Sequence, residues 1–112
     1  MEFNEYQEAI HEYKPFENEI GIFYNLIEVS SSIGDLNKKF NNMIANNIDL
    51  TRENAMKLGI SLGDILNAIS NFAYEIGIKL EDVALLNLKK IDIQKRKQLK
   101  EKNNNPTKFQ NQ

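Results

Sequence analysis

Residues 58–76 read LGISLGDILNAISNFAYEI. Leu58, Leu62, Ile65, Ile69, Phe72 and Ile76 recur at steps of four and three, the period of an amphipathic helix. No proline interrupts the run, and Gly77 follows it, suited to the left-handed position that closes a helix. The spacing therefore predicts a helix over 51–76.

The same pattern lies upstream. Leu26, Val29, Ile33, Leu36, Phe40 and Met43 form a stripe of the same period, which predicts a helix over 18–44, with 41–49 as the turn that follows. Ile20, Phe23 and Ile27 add a second apolar stripe near its start. Phe3, Tyr6 and Ile10 share one face of a shorter helix over 2–13, stopped by Pro15. Downstream, Glu81 and Asp82 suit a helix N-terminus, where acidic side chains oppose the macrodipole. Val83, Ala84, Leu85, Leu88 and Ile91 supply the apolar positions of that fourth helix. From residue 95 the chain turns basic and then asparagine-rich. This predicts a fraying helix end and a disordered polar tail over 103–112, which contains Pro106 and Phe109. The fold class expected is all-α: four helices in one domain over 1–102, completed by oligomerisation.

Composition narrows the function classes. The 112 residues suit one domain, and the 41% apolar fraction suits a modest core that a partner subunit would enlarge. Fourteen basic against sixteen acidic side chains leave a net charge of −2, so the basic footprint of a nucleic-acid binder is missing. With no cysteine, thiolate metal sites and disulfide staples are excluded, and a reducing cytoplasm is the expected location. No apolar run approaches the roughly 20 residues of a membrane span. The acidic, aromatic start does not read as a signal peptide. Neither a glycine-rich phosphate loop nor a Ser–His–Asp pattern is present. His11, the only histidine, is expected at the surface. The basic run Lys95, Arg96, Lys97, Lys100 and Lys102 lacks interleaved aromatics and reads as a solvated helix end.

Two polar faces can carry chemistry. Glu28, Ser32, Asp35 and Lys39 share a face of the second helix, rotated away from its apolar stripe. Ser61, Asp64, Asn71 and Glu75 form a similar face on the third. Each long helix carries a Gly-Asp pair inside its periodic run, Gly34-Asp35 and Gly63-Asp64. A helical glycine costs about 1 kcal/mol against alanine, so the pairs point to close helix approach or to a site. If the helices run antiparallel, Asp35 and Asp64 come near each other. Two carboxylates between helices suit Mg2+, with water and substrate phosphates completing the octahedron. A solvated acidic face accounts for the same spacing. Asn87 and Lys90, one turn apart on the fourth helix, suit a phosphate or a base edge, or an ordinary helix surface.

The stretch 62–96, LGDILNAISNFAYEIGIKLEDVALLNLKKIDIQKR, resembles the second half of the MazG-like nucleotide pyrophosphohydrolases, the all-α NTP pyrophosphatase superfamily. The pieces that carry the resemblance are LGDIL at 62–66, the Gly77-Ile78-x-Leu80-Glu81 link and LNLKK at 86–90. FNEYQEA at 3–9 is similar to the family's first helix, and IGDL at 33–36 to its A-G-E-V segment. The resemblance implies hydrolysis of a nucleoside triphosphate to the monophosphate and pyrophosphate. It implies magnesium on an E-x-x-E pair and an E-x-x-D pair, and a homodimer or homotetramer. Those pairs fall on Ser32 and Asp35 and on Ser61 and Asp64, so one carboxylate in each pair has become serine. The family's arginine after the LNLKK segment is replaced by Gln94, with Lys95 and Arg96 following. Glu28, one turn before Ser32, is a candidate compensating ligand, and Asn87 and Lys90 are the candidate substrate contacts. Serine is a neutral, poor ligand for a hard dication. Two functions therefore stay open: a magnesium-dependent pyrophosphohydrolase with weakened activity, and an inactive relative that binds a nucleotide or a protein as a regulator.

Overall fold

The computed structural model describes residues 1–13 and 19–104. They form four helices and, among the described residues, no strand: α1 (Phe3–Tyr13), α2 (Glu19–Ala45), α3 (Arg52–Glu75) and α4 (Leu80–Asn104). The all-α expectation holds. The stop assigned to Pro15 lies outside the described residues.

The ends of the long helices follow from local chemistry. After α2, the Ile48 amide donates to the Met43 carbonyl and the Asn47 amide to the Ile44 carbonyl, with Asn47 left-handed at φ 52°. This is a Schellman closure in which asparagine supplies the positive φ. It sets the end of α2 at Ala45, inside the stretch 41–49 expected to be turn. Thr51 caps α3, its Oγ1 accepting from the Asn54 amide at 3.2 Å. Asn54 Nδ2 in turn donates to the Asp49 carbonyl at 2.7 Å, tying the connection together. After α3 the closure repeats: the Ile78 amide donates to the Ala73 carbonyl and the Gly77 amide to the Tyr74 carbonyl, with Gly77 at φ 79°. Here glycine takes the left-handed position, as its place after the periodic run predicts.

α3 is the centre of the first compact unit, Met1–Leu80, and packs against both α2 and α1. The short connection after α2 makes α2 and α3 an antiparallel pair. The packing face overlaps the expected one only in part. Ser32 on α2 and Ser61 and Ala68 on α3 are buried, as is Asn25. The stripes read as packing faces are split: Leu26, Ile33, Phe40, Leu62 and Ile76 are exposed, while Val29, Leu36, Met43, Leu58, Ile65, Ile69 and Phe72 are half-buried. The polar faces holding Ser32 and Ser61 are thus not separate from the interface, because small side chains let two backbones approach where large ones cannot. Close approach at the Gly-Asp pairs is also excluded within this chain: a methyl group at Gly34 or Gly63 would meet nothing within 4 Å.

α1 docks on α3 through a polar anchor. Gln7 is buried, although Phe3, Tyr6 and Ile10 mark the face expected to pack. Its Nε2 donates to the Ile78 carbonyl at 3.0 Å and, at 3.5 Å, to that of Ser70. Its Oε1 accepts from the Leu80 amide at 3.0 Å. One side chain thereby satisfies both polarities of the loop after α3, and Ala73 and Leu80 are buried. His11, expected at the surface, is half-buried and stacked on Tyr74 with ring centroids 3.6 Å apart.

α4 belongs to a second unit beginning at Glu81. Glu81 and Asp82 occupy its first turn, as expected. Leu85, Leu86, Leu88, Ile93 and Leu99 are exposed along it. The helix runs to Asn104, past the expected boundary at 102; the rest of the expected tail, 105–112, lies outside the described residues. Asp92 and Arg96 pair at 3.1 Å, both mostly exposed, an interaction worth little. Among the described residues, no helix is long and apolar enough to cross a membrane.

Candidate functional site

The polar residues singled out on α2 and α3 meet at one hydrogen bond. Lys39 Nζ donates to Ser61 Oγ at 2.8 Å. The pair sets the register of the two helices. At a rise of about 1.5 Å per residue, Asp35 lies about 6 Å along α2 from Lys39, and Asp64 about 4.5 Å along α3 from Ser61. Because the helices are antiparallel, both steps run toward the same end of the helix pair. Both aspartates are exposed.

Asp64 also faces α1. Burial, and then the Asp64 carboxylate, raise the Tyr6 phenol above its ordinary pKa of 10.0, since both disfavour the phenolate. Asp64 therefore sits where α3 meets α1, while its neighbour one turn back, Ser61, sits where α3 meets α2.

The other expected residues divide. Ser32 is buried and Glu28 is exposed, one turn apart on α2. Asn87 and Lys90 stand exposed on α4. Lys39 had been placed on the polar face of α2 without a role. Its signal in the sequence was its spacing, four residues after Asp35 on the face that carries Ser32.

Among the described residues, no group of three or more histidine, aspartate or glutamate side chains could hold a metal ion. Ser61 is 2% exposed, and its oxygen is engaged by an ammonium group. A cation at 2.8 Å from that oxygen repels a second one, and magnesium asks for hard anionic oxygens in near-octahedral array. What remains are two exposed carboxylates, one on each helix, and a lysine that bridges α2 and α3.

Beyond the turn-proximal side of Lys39, α2 and α3 enclose a groove of about 360 Å³ lined by Lys39, Asn42, Met43, Lys57, Leu58 and Ile60. No protein-family model, curated protein or solved structure matches this chain.

Proposed function

We propose that this chain binds a nucleotide as a MazG-like protein that lacks a preformed metal site, acting by binding rather than by fast turnover. The observation that carries this reading is the Lys39–Ser61 hydrogen bond. Where the resemblance calls for a metal-binding carboxylate there is a buried serine, and the positive charge beside it belongs to a lysine. An ammonium group supplies phosphate oxygens with a cation that needs no coordination shell from the protein.

Hydrolysis is the second reading, and the placing of one exposed aspartate on each of two antiparallel helices favours it. In this form the nucleoside triphosphate brings its own magnesium, and the two aspartates act as outer anionic contacts. One experiment separates the two. The protein is incubated with a panel of NTPs and dNTPs and magnesium or manganese, and pyrophosphate is measured beside calorimetric titrations with and without EDTA. Binding that survives EDTA, with no pyrophosphate above an Asp64→Ala control, is expected. Pyrophosphate release abolished by Asp64→Ala would replace the binding reading with the enzyme. No nucleotide binding in any arm would end both.

The chain is further proposed to work as a homodimer or homotetramer. Among the described residues, the buried hydrophobic ones are Ala68, Ala73 and Leu80, while Phe23, Ile27, Ile60 and Leu62 are each more than half exposed. So little buried apolar surface is a weak basis for a stable fold, and exposed apolar stripes of this extent mark contact surfaces. Sedimentation at micromolar concentration should give a multiple of the 13.0 kDa chain mass. A monomeric mass counts against the assembly.

A further inference from the structure

The seam between α2 and α3 is marked by the buried Asn25, Ser32, Ser61 and Ala68 and by the Lys39–Ser61 hydrogen bond. Each seam residue is followed directly by a large apolar one. On α2 these are Leu26, Ile33 and Phe40; on α3 they are Leu62 and Ile69. One residue turns a helix by about 100°, so all five stand about 100° round from the seam. In an antiparallel pair, equal turns along the two chains reach the same side. Two apolar stripes, each repeating at seven residues, therefore lie side by side. Asp35 and Asp64 come three residues after a seam serine, about 300° round, and fall on the opposite side. Ser70 and Tyr74, which α1 contacts through Gln7 and His11, are turned away as well, about 200–240° from Ala68.

The apolar side is open and uncharged. Exposure there runs from 43% at Ile33 to 56% at Leu62, with Leu26 and Phe40 between. The residues between the stripe members on that side, Ser30 and Asn37 on α2 and Leu66 and Ala73 on α3, are all neutral. From Leu26 to Ile44 the face is about 27 Å long and, at two helices, about 20 Å wide. Two such faces meeting bury on the order of 1,000 Å², the threshold for a specific interface.

The spacing selects the occupant. A seven-residue repeat on both helices is the period at which four helices interdigitate when packed about 20° from antiparallel. A second copy turned by a two-fold axis presents the same repeat and the same absence of charge, so the face is complementary to itself. α4 is a poorer match. Leu86 and Leu88 stand about 100° and 300° round from Leu85, in three directions rather than one stripe.

We propose that a second copy of this chain covers this face, the two α2–α3 layers stacking about a two-fold axis into a four-helix core. The proposal rests on the oligomeric reading above and names its surface. It leaves Asp35 and Asp64 on the outside of the pair of layers.

The test is analytical ultracentrifugation of the full chain with substitutions on and off this face. Each change enters a two-fold interface twice, so Ile33→Lys and Leu62→Lys should each raise the dimer dissociation constant at least about hundredfold, with the circular dichroism spectrum unchanged. Ile60 directly precedes Ser61 and stands on the other side, so Ile60→Lys should change it by no more than about threefold. The chain has no cysteine, so a single introduced thiol reports its own neighbours even if a lysine variant fails to fold. Ile33→Cys, at the middle of its stripe, should form a disulfide-linked dimer under mild oxidation, and Ile60→Cys should not. The reverse pattern would overturn the face. An oligomer kept in Ile33→Lys and Leu62→Lys but lost in Leu88→Lys would move the interface to α4, overturning this face while the oligomeric reading stands. A monomeric unaltered chain would overturn both.

Discussion

α3 is held on two sides by opposite means. Toward α1, one buried glutamine reaches the chain at Ser70, Ile78 and Leu80, and the apolar residues Ala73 and Leu80 are buried. Toward α2, the buried residues are small or polar, and the cross-helix hydrogen bond comes from a lysine. The first interface satisfies backbone groups that would otherwise be stranded, so it is built for stability. The second is the more extensive pairing, and beside its lysine it leaves a groove of about 360 Å³.

The largest effect expected from breaking this contrast is on the α1 side. Gln7→Ala removes the partner of the Leu80 amide and the Ile78 carbonyl together. Two stranded backbone groups at about 1–3 kcal/mol each predict a loss of roughly 2–6 kcal/mol. Urea denaturation measures it, and a loss under about 1 kcal/mol would mean that the anchor contributes little. Next comes the loop that Gln7 holds. Gly77→Ala forces a side chain into left-handed backbone and should cost about 1–2 kcal/mol by the same measurement. The same change at Gly63, where a methyl meets open space on the helix, should instead stabilise by up to about 1 kcal/mol.

A pair of serines sharpens the comparison at smaller magnitude. Ser61→Ala removes the acceptor of Lys39 and should cost about 1 kcal/mol or less, because the lysine head can turn to water. Ser70 is fully buried, and its hydroxyl has no hydrogen-bond partner among the described residues. Ser70→Ala should therefore be neutral or stabilising by up to about 1 kcal/mol. Equal signs for the two changes would blur the distinction between the α2 and α1 sides.

The smallest effect is electrostatic. Asp64→Asn removes the second cause of the raised Tyr6 pKa and should lower it, with burial still holding it above 10.0. Absorbance titration of the phenolate reports this directly. The sign for stability follows. Below about pH 10 both folded and unfolded phenols are neutral, and above it the unfolded one ionises first. Stability should therefore fall as pH rises through about 10 toward the folded value, and less steeply in the variant.

Much of the site was legible in part. Ser32, Asp35 and Lys39 could be put on one face of α2, and Ser61 and Asp64 on one face of α3, because helical spacing alone dictates it. That these faces meet was legible only on the condition that the two helices run antiparallel, and that the meeting is made by Lys39 and Ser61 was not legible. Hydrophobicity argued for the Leu26–Phe40 and Leu58–Ile76 stripes as the packing surface, but periodicity alone does not say which members of a stripe face the neighbouring helix. Gln7 was hidden for a different reason. A lone glutamine carries no periodic signal, and its partners are backbone groups up to 73 residues away, which have no signature in residue type.

By itself, the amino-acid order determined four helices and where the long ones stop, because caps, turn glycines and the 3.6-residue period act over a few neighbouring residues. It also determined that the acidic and lysine positions of each long helix share a face. Only the tertiary structure decided that Ser32, Ser61 and Ala68 are buried while Leu26, Ile33, Phe40 and Leu62 of the apolar stripes stay exposed, and that Lys39 ends on Ser61. Such choices depend on which surfaces fit when distant segments are brought together, and fit between surfaces is not a property of either segment alone.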